Sequence, residues 1–171
     1  MALIKTLNGK RPTFGLDCYY TENAVIVGDV RVGAQCSFWF HTVVRGDVNA
    51  IRIGSRVNVQ DGAIIHCTYE RTETRIGHDV SIGHRAIVHG CTIHDRVLIG
   101  MGAIIMDRVV IESDVIVAAG AVVPEGAHLE SGWIYAGVPA KPLKPLSEDA
   151  AADNIQRIAA RYVKYAGWYR R

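Results

Sequence analysis

Large apolar residues recur at every sixth position along most of this chain. Ile26, Val32, Phe38 and Val44 open the series, with Phe14 and Tyr20 extending it backwards. After a step of nine come Ile53, Val59 and Ile65; after a step of eleven, Ile76, Ile82 and Val88. A step of five then leads into Ile93, Ile99, Ile105, Ile111, Val117, Val123, Leu129 and Tyr135. Four residues after most of these anchors stands a small or β-branched residue, as at Cys18, Ala24, Cys36, Ala63, Ala86, Thr92, Ala103 and Ala121. A helix repeats at 3.6 residues and a lone strand at two, so neither accounts for six. A period of six with large and small inward positions predicts a parallel β-helix, in which three short strands form each triangular coil. Twenty anchors between Phe14 and Tyr135 make about seven coils.

The pattern divides the chain into an N-terminal extension (1–13), an all-β solenoid (14–139), a proline-rich connector (140–146) and a C-terminal helix (147–171). Ser147 reads as the helix N-cap, with Glu148 and Asp149 in the favourable first turn. Ile155, Ile158, Ala159, Tyr162, Val163 and Ala166 then follow helical spacing, with Arg161, Lys164 and Arg170 elsewhere on the cylinder. The apolar stripe is expected to pack along the prism. The two long steps predict loops at its corners, over 46–52 and 67–75.

Composition narrows the partners. The chain has 171 residues, 49% of them hydrophobic, which fits a single domain. Nineteen basic residues against 17 acidic ones leave a net charge of +2, and no block of like charge marks a nucleic-acid surface. No apolar run reaches the roughly 18 residues of a membrane span, and no secretory leader is evident; a cytoplasmic location is expected. Cys18, Cys36, Cys67 and Cys91 form no Cys-x-x-Cys pair and are expected to be reduced.

The anchors serve as coordinates for chemistry. Val44, Ile65 and Val88 fall on successive coils, so Arg45, His66 and His89 stack in one column, about 4.8 Å apart. His66 and His89 can therefore share a metal. His84 lies on the preceding side of the prism, in a column with Asp61, and would have to reach round a corner. A neighbouring copy could supply it without strain, and prisms grouped around a threefold axis would do so at every interface. Three imidazoles with an open fourth position are the usual layout of catalytic zinc, with Fe2+ or Co2+ also chemically acceptable. His41, His78, His94 and His128 are expected at the surface, and Trp39, Trp133 and Trp168 in packing roles. Cys18 and Cys36 read as buried apolar residues, while Cys67 and Cys91 flank the site off the histidine column. Arg45, Asp47 and Asp61 could also be simply an interface ion-pair cluster.

At these positions the chain resembles the gamma-class carbonic anhydrases. The matching residues are Arg45-Gly46-Asp47, Asn58-x-Gln60-Asp61, His66, His84-x4-His89 and Gly137-Val138-Pro139-Ala140-Lys141. The resemblance implies a left-handed β-helix and a homotrimer whose interfaces hold the metal on His66 and His89 of one subunit and His84 of the next. It implies reversible hydration of carbon dioxide to bicarbonate by a metal-bound hydroxide, oriented by Gln60 with Asn58 beside it in the motif. Arg45, Asp47 and Asp61 would form an ion-pair network that fixes the interface and helps place bicarbonate. Efficient members carry a shuttle glutamate directly after the Arg-Gly-Asp aspartate; here that residue is Val48, and Glu70 and Glu73 are the nearby acids. Three alternatives remain open: hydrolysis of an acyl-CoA thioester at the same metal, a metal-stabilised trimeric assembly or binding protein with little turnover, and an acyltransferase. The last shares Gly137 to Lys141 but needs no metal triad, so the three histidines speak against it. The sequence leaves open whether Tyr135 lines the site.

Overall fold

The computed structural model describes residues 2–169; Met1, Arg170 and Arg171, including the expected helix position of Arg170, lie outside the described residues. The chain winds as a left-handed parallel β-helix of about seven turns, followed by a C-terminal helix. Inward anchors stack from coil to coil, and Ile26, Val44, Ile65, Ile82, Val88, Ile99 and Ile105 are all sealed from solvent. Truncating one such isoleucine to alanine would cost about 2–5 kcal/mol, because the rigid coils on either side cannot close the void.

Three long faces result, each with a different outer surface. The first consists of the stacked strands Tyr19–Tyr20, Ser37–Phe38, Asn58–Val59, Ser81–Ile82, Val97–Ile99, Val115–Val117 and Trp133–Ala136. It is covered by the terminal helix, which runs through Glu148–Ala151, a wider-wound turn at Ala152–Gln156 and Arg157–Trp168. Ile155, Ala159 and Ala166 are buried against it. Ser147 Oγ accepts from Ala150 N–H at 3.3 Å, as an N-cap should. The connector is itself a strand, Lys141–Pro145, antiparallel to Trp133–Ala136.

The second face carries Ile64–His66, Ile87–His89, Ile104–Ile105 and Val122–Val123. Its outward positions place Val25, Val43, Ile64, Ile87, Ile104 and Val122 in one continuous register row. Every member keeps some solvent exposure, up to 40% at Ile64. Such an apolar stripe on a solvated face needs a partner. The third face instead stacks Arg31, Arg52 and Arg75 in register. Arg52 is tied to Asp29 at 2.7 Å and Arg75 to Glu73 at 2.5 Å.

Three details differ from the sequence reading. Tyr20 is 38% exposed, because the first coil has no complete neighbour to enclose its side chain. Cys91, not Thr92, takes the inward small position. The step there is five residues, so Thr92 adjoins the inward Ile93 and alternation turns it out. The expected loop at 46–52 is part of one bent strand, Val43–Ile53. It stays paired to Val25–Val32 through a register slip between Gly28 and Val30, which lets Ile51 bury opposite Val30. Among the described residues no helix is long and apolar enough to cross a membrane.

Candidate metal centre

His66 and His89 face one another directly across adjacent coils. Nδ1 of His66 lies 3.2 Å from Nε2 of His89. Each ring gives its other nitrogen to a carboxylate: His66 Nε2 to Asp47 Oδ1 at 3.0 Å, and His89 Nδ1 to Asp107 Oδ1 at 2.5 Å. A neutral imidazole has one N–H, and both are directed at carboxylates. In the tautomers that direct both N–H groups at the carboxylates, the two remaining lone pairs face the same gap. Two nitrogens bound to one tetrahedral zinc at about 2.05 Å would be about 3.3 Å apart, so the donor set fits a cation of that size.

The carboxylates are themselves held. Burial alone would raise the Asp47 pKa, but hydrogen bonds from Arg45 and His66 outweigh it and hold the carboxyl below its ordinary value. Burial also works against ionisation of Asp107, and Thr68 Oγ1, donating at 2.5 Å, together with His89 brings its pKa below the usual range. His66 is pushed down from 6.5, chiefly by desolvation, which favours the neutral ring a metal requires. Gly90 makes the approach of Asp107 possible. Its φ is +53°, and a Cβ there would stand 2.2 Å from Asp107 Oδ1 and 2.3 Å from Thr72 Oγ1.

His84 is placed elsewhere, at the corner between the helix-covered face and the histidine face. Its Nδ1 pairs with Asp61 Oδ2 at 3.0 Å, the column partner read from the sequence. Among the described residues no three metal-ligating side chains of one chain converge on a point. Asp61 likewise does not meet the Arg45–Asp47 pair. Gln60 is buried beside His84 along the helix-covered face, and its Nε2 donates to Asn58 Oδ1 at 3.0 Å. Asn58 Nδ2 in turn donates to Ser81 Oγ at 2.7 Å. That chain of bonds fixes the Gln60 amide, leaving its carbonyl oxygen as an acceptor.

Comparisons with known proteins identify the family and the fold. Residues 90–125 match the family model for bacterial transferase hexapeptide repeats. A carbonic anhydrase of Geobacillus kaustophilus is 36% identical over 98% of this chain and 91% of its own length. Gamma carbonic anhydrase 2 of Arabidopsis thaliana mitochondria is also 36% identical, over 92% of this chain and 58% of that longer protein. The chain belongs to the gamma-class carbonic anhydrase family. The same coil path occurs in the crystal structure of a candidate acetyltransferase from Bacillus cereus, with a TM-score of 0.95 at 36% identity, covering 98% of this chain and 96% of that one.

Within this gamma-class chain the remaining candidates separate clearly. Val48 follows Asp47 and packs half-buried against the core. Glu73 is paired with Arg75, and Glu70 takes a hydrogen bond from Tyr69. Tyr135 points into the interior and accepts from Glu130 N–H at 2.8 Å, so it does not reach the histidines. Burial pushes the thiols of Cys67 and Cys91 up to about 11 and 12 respectively, which keeps them protonated and poor ligands. His41, His78, His94 and His128 are exposed, and His128 pairs with Glu112. Trp39 stacks edge-on against Tyr162 of the terminal helix. Asp107, Thr68 and Gly90 were not singled out by the sequence, although counting columns one coil beyond Gly90 leads directly to Asp107.

Proposed function

We propose that the protein is a homotrimeric carbonic anhydrase in which His66 and His89 of one subunit and His84 of the next hold a divalent cation, zinc by default. The observation that carries this reading is the pair of facing imidazole nitrogens 3.2 Å apart, each ring backed by a carboxylate on its other nitrogen. The apolar row Val25 to Val122 beside that pair supports a second copy as its cover. A third imidazole from that copy would complete the set. The bound cation supplies an acidified water, available as a nucleophile near neutral pH.

The residues of the chain do the rest. Gln60, locked by Asn58 and Ser81, offers its carbonyl oxygen to orient the attacking water. Asp47 and Asp107 fix the rings of His66 and His89 and strengthen both as donors. Arg45, paired with Asp47 and exposed at the mouth, places an anionic product. The proton released passes to solvent buffer, since Val48 has no titratable group. Rapid-mixing assays of carbon dioxide hydration on protein loaded with zinc, and separately with ferrous iron or cobalt, test this. Hydration that disappears in His89→Ala together with the metal is the expected result; a metal-loaded trimer without hydration would contradict it.

A further inference from the structure

The last turns of the terminal helix carry Tyr162, Tyr165 and Trp168 three residues apart, a spacing at which neighbouring side chains meet. Their ring centroids are 5.5 Å and 4.7 Å apart in turn. Opposite them Trp39 and Phe40 stand at the corner of the prism. Register places Phe40, Asp61 and His84 one above another along that corner, since Gly62 N–H donates to the Phe40 carbonyl and Arg85 N–H to the Asp61 carbonyl. A cavity of about 250 Å³ lies between the two walls, closed at its far side by Tyr169. Among the described residues that line it, Asp61 carries the only charge. Arg161 lines the neighbouring groove instead, beside Gln60 and His84.

Packing accounts for only part of this cluster. Trp39 is 6% exposed and meets Tyr162 and Tyr169 edge-on, each 5.4 Å away, as a core residue would. Trp168 and Tyr169 remain 55% and 53% exposed, which leaves two large rings in water at the mouth of the cavity. Aromatic faces carry negative potential and attract a cation that has shed its water. Asp61 adds a full charge to theirs. Burial, with that charge second, pushes the Tyr162 phenol up to about 12, so the ring stays neutral. Tyrosine oxygens apart, the one charged acceptor is a carboxylate already engaged by His84 at 3.0 Å. An ammonium with three N–H groups would be left short of partners there, whereas a quaternary nitrogen has none to satisfy. We propose that the cavity binds the trimethylammonium group of an organic cation, its methyls against the rings and Asp61 as counter-ion. The volume lies below that of sites enclosing whole drug-sized ligands and suits a headgroup whose remainder extends into solvent. None of His66, His84 and His89 lines the cavity, so binding there requires no metal.

Titration calorimetry on the full chain at constant ionic strength tests this with four probes: tetramethylammonium, choline, ethanolamine, and dimethylbutanol, in which carbon replaces the charged nitrogen of choline. The two quaternary cations should bind saturably at one site per chain. Ethanolamine and dimethylbutanol should each bind about tenfold or more weakly, the first for want of methyls and the second for want of charge. Trp168→Leu should weaken choline binding about tenfold, with Trp168→Phe falling between it and wild type. Circular dichroism on the same samples verifies the fold, and if Trp168→Leu does not fold, Trp168→Phe and Tyr165→Leu carry the comparison. Sedimentation with phosphatidylcholine vesicles but not phosphatidylglycerol ones, reversed by choline, would assign the group to a lipid headgroup; binding of free choline alone would assign it to a soluble cation. Absence of saturable binding by either quaternary cation overturns the assignment. So does dimethylbutanol binding as tightly as choline, which would make the cavity merely apolar, or choline affinity unchanged in folded variants at both Tyr165 and Trp168.

Discussion

His89 Nδ1 stands 2.5 Å from Asp107 Oδ1, one coil further along the prism. A carboxylate there favours the tautomer with the proton on Nδ1, which presents the Nε2 lone pair to the gap shared with His66. Asp107→Asn is therefore expected to weaken metal binding about 10- to 100-fold with the trimer intact. Gly90→Ala, which would push a methyl group into the same carboxylate, should act in the same direction. Chelator competition measures both; unchanged affinity would mean that His89 holds its orientation without help.

Ile64 is the most exposed member of the apolar row on the histidine face. A carboxylate placed there would be stranded in a subunit contact at a cost of several kcal/mol. Ile64→Asp is expected to yield a monomer by size-exclusion chromatography with light scattering, and to lose bound metal simultaneously. A monomer that still binds metal normally would separate the two properties and contradict the shared site.

Val48 follows Asp47 and has no titratable group, so the proposed hydration is expected to rely on buffer for proton removal. Steady-state kcat is expected to climb about tenfold or more as imidazole buffer is raised from a few millimolar to saturation. A flat dependence would show that Glu70 or Glu73 relays the proton.

Asp29 anchors the arginine face, bonded to Arg52 at 2.7 Å and to Lys10 at 2.9 Å. Those bonds, Arg52 first, lower its pKa from 3.8 to about 2. The folded value lies below the unfolded one, so the stabilisation is complete above pH 3.8 and is lost as pH falls toward 2. Asp29→Asn should cost about 1–2 kcal/mol near neutral pH, after allowing for the exposed Lys10 partner, and little at pH 2. Urea denaturation across that range tests it.

The period of six carries most of the coil architecture, because a closed prism admits an inward residue only where the coil geometry returns. Where spacing slipped, the reading slipped with it. The step of five puts Thr92 where Cys91 belongs, and the step of nine hides the buried place of Ile51 opposite Val30. Column counting joined His66 to His89 and His84 to Asp61 because neighbours in a parallel ladder are fixed by register. It passed over Asp107, which lies one coil up and one position beyond the histidine column. An aspartate at a corner carries no local signal; only the glycine at position 90, whose Cβ would collide with it, marks the place. The outer surfaces were the least legible part, since an outward isoleucine and an inward one look alike until the register is known.

The most direct test is the metal content of His84→Ala. His84 touches neither His66 nor His89 within its own chain, so the shared-site account makes a prediction no single-chain site would make. Wild-type protein should carry one divalent cation per subunit in a trimer. The variant should lose it, or bind at least tenfold more weakly, despite an undisturbed His66–His89 pair. A His84→Ala protein that retains one tightly held cation per chain would contradict the account.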